Sequence, residues 1–237
     1  MNELELVKPS YLANINPLEN ENPVEMGDVK KPYLVIAQSN SKALLEDDPG
    51  YIDGLKPGYF YNSSNRKVYG KNVTLQFIHY FKSYNIYKGE EWKESIPENV
   101  FVTLRNRVFD PKVGITTTDY PDCNIKESWI FVVKVIEDDE FDFVFFSIKA
   151  GGISDAKNWL SKIQNIYRRG GASESVLWNV TTYLKESKVV SSKSYQIDGE
   201  KVVQSGFVDE RTYKNAKIIK DQLKKATSDA THLADEY

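Results

Sequence analysis

From Gly54 to Gly89, 36 residues pass without one carboxylate. Within them Lys56, Arg66, Lys67, Lys71, Lys82 and Lys88 are interleaved with nine aromatic side chains: Tyr59, Phe60, Tyr61, Tyr69, Phe77, Tyr80, Phe81, Tyr84 and Tyr87. Lysine and arginine attract a polyanion that carboxylates would repel, and flat rings offer unstacked bases a surface to lie on. The chemistry open to such a strip is binding of a single-stranded nucleic acid, with each stacked base worth roughly 1 to 3 kcal/mol. Tyrosine and arginine also build protein interfaces, so a partner protein is the alternative occupant.

The rest of the chain makes the strip stand out. Its 237 residues carry 31 basic and 34 acidic groups, a net charge of -3. Residues 1–53 hold 4 basic and 10 acidic groups, 90–150 hold 7 and 13, and 151–237 hold 14 and 11. No apolar run approaches the ~18 residues of a membrane span, and the first residues lack the basic start and apolar stretch of a signal peptide. The expectation is a soluble, non-secreted protein that works in the cytoplasm. The lone Cys123 has no partner for a disulfide and no second ligand for zinc.

Other candidate chemistry is thin. His79 and His232 lie far apart in sequence, and neither suggests a triad or a metal pair. The run Glu137-Asp138-Asp139-Glu140 reads as a solvated turn, because a two-metal site gathers carboxylates from separate elements. Asp110, Asp119, Asp122 and Glu127 are dispersed, and their spacing is not diagnostic. Ala150-Gly151-Gly152 precedes a helix but lacks the spacing of a phosphate-binding loop. No catalytic residue, metal site or cofactor is expected, so the chain reads as a binding protein.

The elements that must position the strip are mostly strands. Residues 1–31 are rich in Asn, Glu and Pro and read as an irregular N-terminal arm. Tyr33 to Ala37 reads as the first strand, Tyr59 to Tyr61 as a second, and about Asn72 to Tyr84 as a long third. In the long strand, period two puts Val73, Leu75, Phe77 and Phe81 on a core face. Thr74, Gln76, Tyr80, Lys82 and Tyr84 then fall on the opposite, binding face. A short strand is expected near Phe101 to Leu104, followed by loops in which Arg105 and Arg107 extend the groove. Trp129 to Ile136 and Phe141 to Ile148 form a buried hairpin.

Ser154 then caps a helix, near residues 154–169, whose apolar residues Ala156, Trp159, Leu160, Ile163, Ile166 and Tyr167 recur at helical spacing and which Gly170-Gly171 stops. Val176 to Leu184 and Val189 to Ile197 return to strand, Asp198-Gly199 makes a hairpin turn, and Asp209 opens a last helix through Lys225. Residues 226–237 are expected to fray. The fold class is mainly β with two helices (α+β). Its domain spans residues 32–208, flanked by the arm at 1–31 and by a C-terminal helix and tail at 209–237.

Two stretches carry a resemblance. Pro32 to Tyr87 reads PYLVIAQSNS and then GLKPGYFYNSSNRKVYGKNVTLQFIHY, and Ala156 to Ile197 contains AKNWLSKI followed by LWNVTTYLKESKVVSSKSYQI. In these residues the chain resembles phage-encoded single-stranded DNA-binding proteins, over about two fifths of its length. The resemblance implies an OB-like β-barrel. Its groove would bind the strand through Arg66, Lys67, Tyr69, Lys71, Tyr80, Lys82 and Tyr84. It further implies protection of single-stranded DNA during phage replication and recombination. Partners would be single-stranded DNA, replication proteins reached through the C-terminal tail and, in a homo-oligomer, further copies of the chain. The tail departs from the family pattern, since only Asp229, Asp235 and Glu236 follow Lys225. The alternative function is that of a virion accessory protein using the same strip against a protein partner.

Overall fold

The structure is a computed structural model that describes residues 31–110, 112–186 and 192–234. The chain divides between Lys31 and Pro32. The expected irregular arm therefore lies outside the described residues, apart from its last one.

The strands are β1 (Tyr33–Ile36), β2 (Phe60–Asn62), β3 (Val68–Gly70), β4 (Asn72–Lys88), β5 (Glu91–Pro97), β6 (Val108–Asp110), β7 (Gly114–Thr116), β8 (Asn124–Val135), β9 (Val144–Lys149), β10 (Val176–Glu186), β11 (Lys193–Ile197) and β12 (Val203–Phe207). The helices are α1 (Glu98–Thr103), α2 (Ile153–Arg168) and α3 (Glu210–Ala234). The class is mainly β, as read from the sequence, with three α-helices among the described residues rather than two. The stretch expected to be a strand near Phe101 is α1, where Val100, Phe101 and Leu104 recur at helical spacing and meet one small core. The last helix continues past Lys225 to Ala234, through a segment rich in alanine, the strongest helix former.

The sheet runs β11-β10-β4-β8-β9-β1-β2-β3 and curls into a half-barrel. Among the described residues only the β1–β9 pair is parallel; β4, β8 and β9 pair antiparallel in that order. Asp198-Gly199 does not join a hairpin, because β11 and β12 both pair with β10, one after the other along the same edge. The concave face is filled by α2, whose Ala156, Trp159, Leu160 and Ile163 are buried against Leu75, Phe77, Phe131 and Trp178. Trp159 stacks on Phe131 with centroids 4.8 Å apart. The convex face carries α3, which buries Ala216 and Ile219 against Ile78 and Val132.

The curl brings β11 against the chain that leaves β1 and enters β2. The Gln38 amide bonds to the Tyr195 backbone in both directions, donating to its carbonyl at 2.9 Å and accepting from its N–H at 2.8 Å. One side chain thus supplies the pair of bonds a strand would have made. Gly58 sits beside this junction with φ +83, and a Cβ there would meet the Tyr195 ring at 2.6 Å. Gly58→Ala is therefore expected to cost about 2 kcal/mol, from the left-handed backbone and the displaced ring together. A fall in Tm of ~5 °C in a thermal melt is the expected reading; an unchanged Tm would show that the junction yields freely.

One irregularity in β4 governs the site. The β4–β8 register skips Ile78, so that Phe77 stands opposite Val133 and His79 opposite Val132. A bulge of one residue reverses the face of everything beyond it. Phe77 points into the concave core, while Ile78 is fully buried under α3 on the other side.

Candidate nucleic-acid interface

The residues expected to line a binding strip do not assemble into one. Beyond the bulge, Tyr80, Lys82 and Tyr84 continue the concave face of Phe77. Tyr80 is half-buried, with its centroid 5.9 Å from Trp129 and 6.1 Å from Phe131. Tyr84 is 5% exposed and stacks on Phe101 at 3.7 Å, inside the small core beneath α1. It is a core residue, not a base platform. Lys82 forms an ion pair with Glu98 at 2.6 Å, and that bond, against the opposing effect of burial, holds its ammonium above the usual lysine range.

Carboxylates missing from the strip in sequence return to it in space. The turn after β8 places Asp138, 2% exposed, against β3 and the turn before it. The Tyr69 hydroxyl donates to Asp138, as do the amides of Asn62 at 3.5 Å and Asn65 at 3.2 Å. Lys67 donates to the Glu137 carbonyl and lies 3.8 Å from the Asp138 carboxylate. Burial pushes the Asp138 carboxyl up, but the donors from Tyr69, Asn65 and the Glu140 N–H outweigh it, so it stays below the ordinary aspartate range. Burial, then the bond to Asp138, pushes the Tyr69 phenol up. Three acids of the turn, Glu137, Asp139 and Glu140, are exposed as expected, while Asp138 alone is buried and anchors Tyr69 and Lys67.

The remaining candidates are scattered. Arg66, at φ +60 in the turn, reaches the Pro49 carbonyl at 3.4 Å, and Lys71 is exposed at the start of β4. Arg105 places Nε and Nη2 on Asp119 Oδ1 at 3.0 and 2.9 Å. Arg107 lies over the Phe101 ring at 5.0 Å. Asp110 caps its own turn through the N–H groups of Lys112 and Val113, and Glu127 accepts from the Trp129 indole at 2.8 Å. Among the described residues no three His, Cys, Asp or Glu side chains are grouped to hold a metal.

A surface with the expected chemistry does exist, on the opposite face of the same strands. Past the bulge, β4 presents Phe81, Ser83, Asn85 and Tyr87 outward. The register sets Ser83 beside Ser128, which stands beside Lys149; Asn85 beside Lys126; and Phe81 beside Ile130, which stands beside Ser147. Side-chain bonds fix these orientations. The Trp92 indole donates to Ser95 at 3.3 Å, Ser95 to Asn85 at 2.6 Å, and Asn85 to Ser128 at 2.7 Å, a chain that crosses β5, β4 and β8. The Lys126 ammonium lies 5.0 Å from the Tyr87 ring. Trp92 is 56% exposed, and Lys126 and Lys149 are exposed.

No carboxylate occupies an outward position of β5, distal β4, distal β8 or β9 among the described residues. The carboxylates of β5 are on the other side: Glu91 is paired with the bulged Lys93, and Glu94 stands opposite the buried Ile86. A family model described as Pam3 phage gp34-like protein matches residues 3–229. The chain belongs to this phage protein family. No curated protein and no solved structure matches it.

In this gp34-like chain, the sequence reading missed Trp92 and left Tyr87 out of the binding set. The signal that could have found Tyr87 is the two consecutive apolar residues Phe77-Ile78, which a strand with a helix on each face accommodates by a bulge. At the near end of the outward row, His79 is half-buried; burial, then the Lys220 and Lys224 ammonium groups, pushes its pKa down. The His232 side chain lies outside the description. No helix among the described residues is long and apolar enough to cross a membrane.

Proposed function

We propose that this phage protein binds single-stranded DNA, without reading its sequence, on the outward face of β5, β4, β8 and β9. The observation that carries the reading is a four-strand face, free of carboxylates among the described residues, that combines the exposed Trp92 and the half-buried Tyr87 with Lys126 and Lys149 and ends at Phe81, which packs against the core under α3. Rings give stacking to any base, the lysines neutralise phosphates, and the hydroxyls and amide of Ser95, Asn85 and Ser147 offer polar contacts without a fixed code.

The chain order supports the same reading. With β5, α1, β6 and β7 inserted between β4 and β8, the elements β4, β8, β9, α2, β10 and β11 come in the order three strands, a helix and two strands, with β4 pairing both β8 and β10. That order is compatible with a partly open OB-like barrel, whose second and third strands form the usual oligonucleotide face. Here those strands are β8 and β9. A role in covering single strands during phage replication and recombination follows from binding that ignores sequence, and the reading involves no catalytic step.

The test is a titration of fluorescent oligothymidine between ~50 and ~300 mM salt, where log affinity should fall with log salt by about 0.7 per phosphate contacted. Micromolar or tighter binding at the low-salt end is expected. Lys126→Glu with Lys149→Glu should flatten the slope by ~1.4. A wild-type protein that leaves the oligonucleotide free at ~50 mM salt ends the proposal.

One observation favours a second reading, contact with a protein. The β6–β7 hairpin exposes Val108 by 62%, Phe109 by 72% and Val113 by 44%. Small apolar patches of this kind mark docking sites. A virion component would copurify with phage particles and ignore oligonucleotides.

A further inference from the structure

A group of cations lies outside the strand face, where α2 ends against α3. Lys217, Lys220 and Lys224 fall within about 60° of one another around α3, beside the buried line of Ala216 and Ile219. The Lys220 ammonium donates to the Tyr167 hydroxyl at 2.8 Å, which fastens the last turn of α2, and with it Arg168 and Arg169, to this flank.

The ion pairs separate the members of the group. Lys220 is committed to the buried Glu174. Lys217, Lys224, Arg168 and Arg169 have no ion-pair partner among the described residues, and all four are exposed. Of the exposed carboxylates on α3, Glu210 is taken by Lys214, and Asp221 borders the group. Rings accompany the charges: Lys220 lies 5.0 Å over Tyr167, which is 40% exposed, and Lys217 lies 5.8 Å over Tyr213.

The flank adjoins the strand face. His79, which feels Lys220 and Lys224, is two residues from Phe81 on the outward side of β4, a distance of about 7 Å along a strand. We propose that the flank built from Lys217, Lys224, Arg168 and Arg169 is a second segment of the same nucleic-acid path, binding the backbone phosphates of a single strand that continues off the sheet. This rests on the reading of the sheet face as a single-strand site. A nucleic acid fits better than an acidic protein, because unpaired cations with rings beside them repeat the chemistry of the face they adjoin.

The flank makes binding depend on oligonucleotide length. Oligothymidines of about 8 and about 25 nucleotides bracket the reach of one barrel. With the full chain, the longer one should bind more tightly. Lys217→Glu with Lys224→Glu should weaken the longer oligonucleotide about 10-fold and reduce its salt slope by ~1.4, leaving the shorter one unchanged. Arg168→Ala with Arg169→Ala should shift binding in the same direction through exposed side chains at the end of α2 rather than on α3, which guards against a folding artefact.

An unchanged affinity for the longer oligonucleotide, or an equal loss for both lengths, overturns the second segment while leaving the sheet face intact. A wild type that binds neither length overturns both. Loss of poly-glutamate binding in the variants, with oligonucleotide binding untouched, would reassign the flank to an acidic protein.

Discussion

Replacing Trp92 and Tyr87 together by alanine is expected to weaken oligothymidine binding about 100-fold, while shifting the melting temperature little. Two stacked bases lost at roughly 1 to 3 kcal/mol each would give a larger product if fully additive, and neighbouring rings seldom are. The rings differ from the core aromatics in what they touch. Trp92 is 56% exposed and bonds within the protein through its indole to Ser95, and Tyr87 sits under Lys126 on the rim of the sheet. Fluorescence anisotropy measures the affinity and a thermal melt controls for the fold. Tyr84→Ala is the contrast. Its ring fills the core between β4 and α1, so its removal should cost ~3 kcal/mol of stability. Wild-type affinity in the Trp92/Tyr87 variant would remove the sheet face as the site; a Tyr84 variant as stable as wild type would remove the account of the core.

The faces of β4 show what the sequence carries and what it does not. Alternation gives the right partition as far as Phe77 and the inverted one afterwards, because a single bulged residue changes the parity. The adjacent apolar residues Phe77 and Ile78 break strict alternation, but a period-two reading does not say how the faces run beyond them. The cause is tertiary: α2 takes Phe77 on one side and α3 takes Ile78 on the other, and neither helix is near β4 in sequence. The absence of carboxylates between Gly54 and Gly89 is likewise a one-dimensional fact. Asp138 reaches Tyr69 from 69 residues away, and Glu98 reaches Lys82 from 16.

Features whose causes are local were easier to read. The helix α2 is visible in the spacing of Ala156, Trp159, Leu160 and Ile163, and the β8–β9 hairpin in two dense apolar runs around an acidic turn. Ser154, expected as the cap, bonds to Lys185 instead, and Gly152 takes the N-cap position. The chemical class of the candidate surface, rings with lysines and no acids, was legible; the face that bears it was not.

Glu174→Gln is expected to cost about 3 kcal/mol, because it leaves the Lys220 ammonium partly buried without its counter-charge. The Glu174 side chain is 4% exposed and that of Lys220 16%, and the Tyr167 hydroxyl donates to the same carboxylate at 2.7 Å. Burial pushes the Glu174 carboxyl up, but the bonds from Lys220 and Tyr167 outweigh it and hold it below its ordinary 4.5. Burial pulls Lys220 down, yet its bonds to Glu174 and Tyr167 hold it above its ordinary 10.5. A carboxyl lowered in the folded state contributes stability above 4.5 and loses it as pH falls toward the folded value. An ammonium raised in the folded state contributes below 10.5 and loses it as pH rises through the folded value.

The pair should therefore hold full strength between those limits, and the Gln variant should lose less stability on acidification than wild type. Lys220→Met strands the carboxylate and should cost as much as the first substitution. Glu174→Gln with Lys220→Met removes both charges and should cost far less than the two single losses combined. Urea unfolding of the four proteins in the cycle measures the coupling, expected at ~2 kcal/mol or more. Additive losses would mean that the end of α2 is held to α3 by packing alone, and that its arginines owe their place beside Lys217 and Lys224 to something other than this pair.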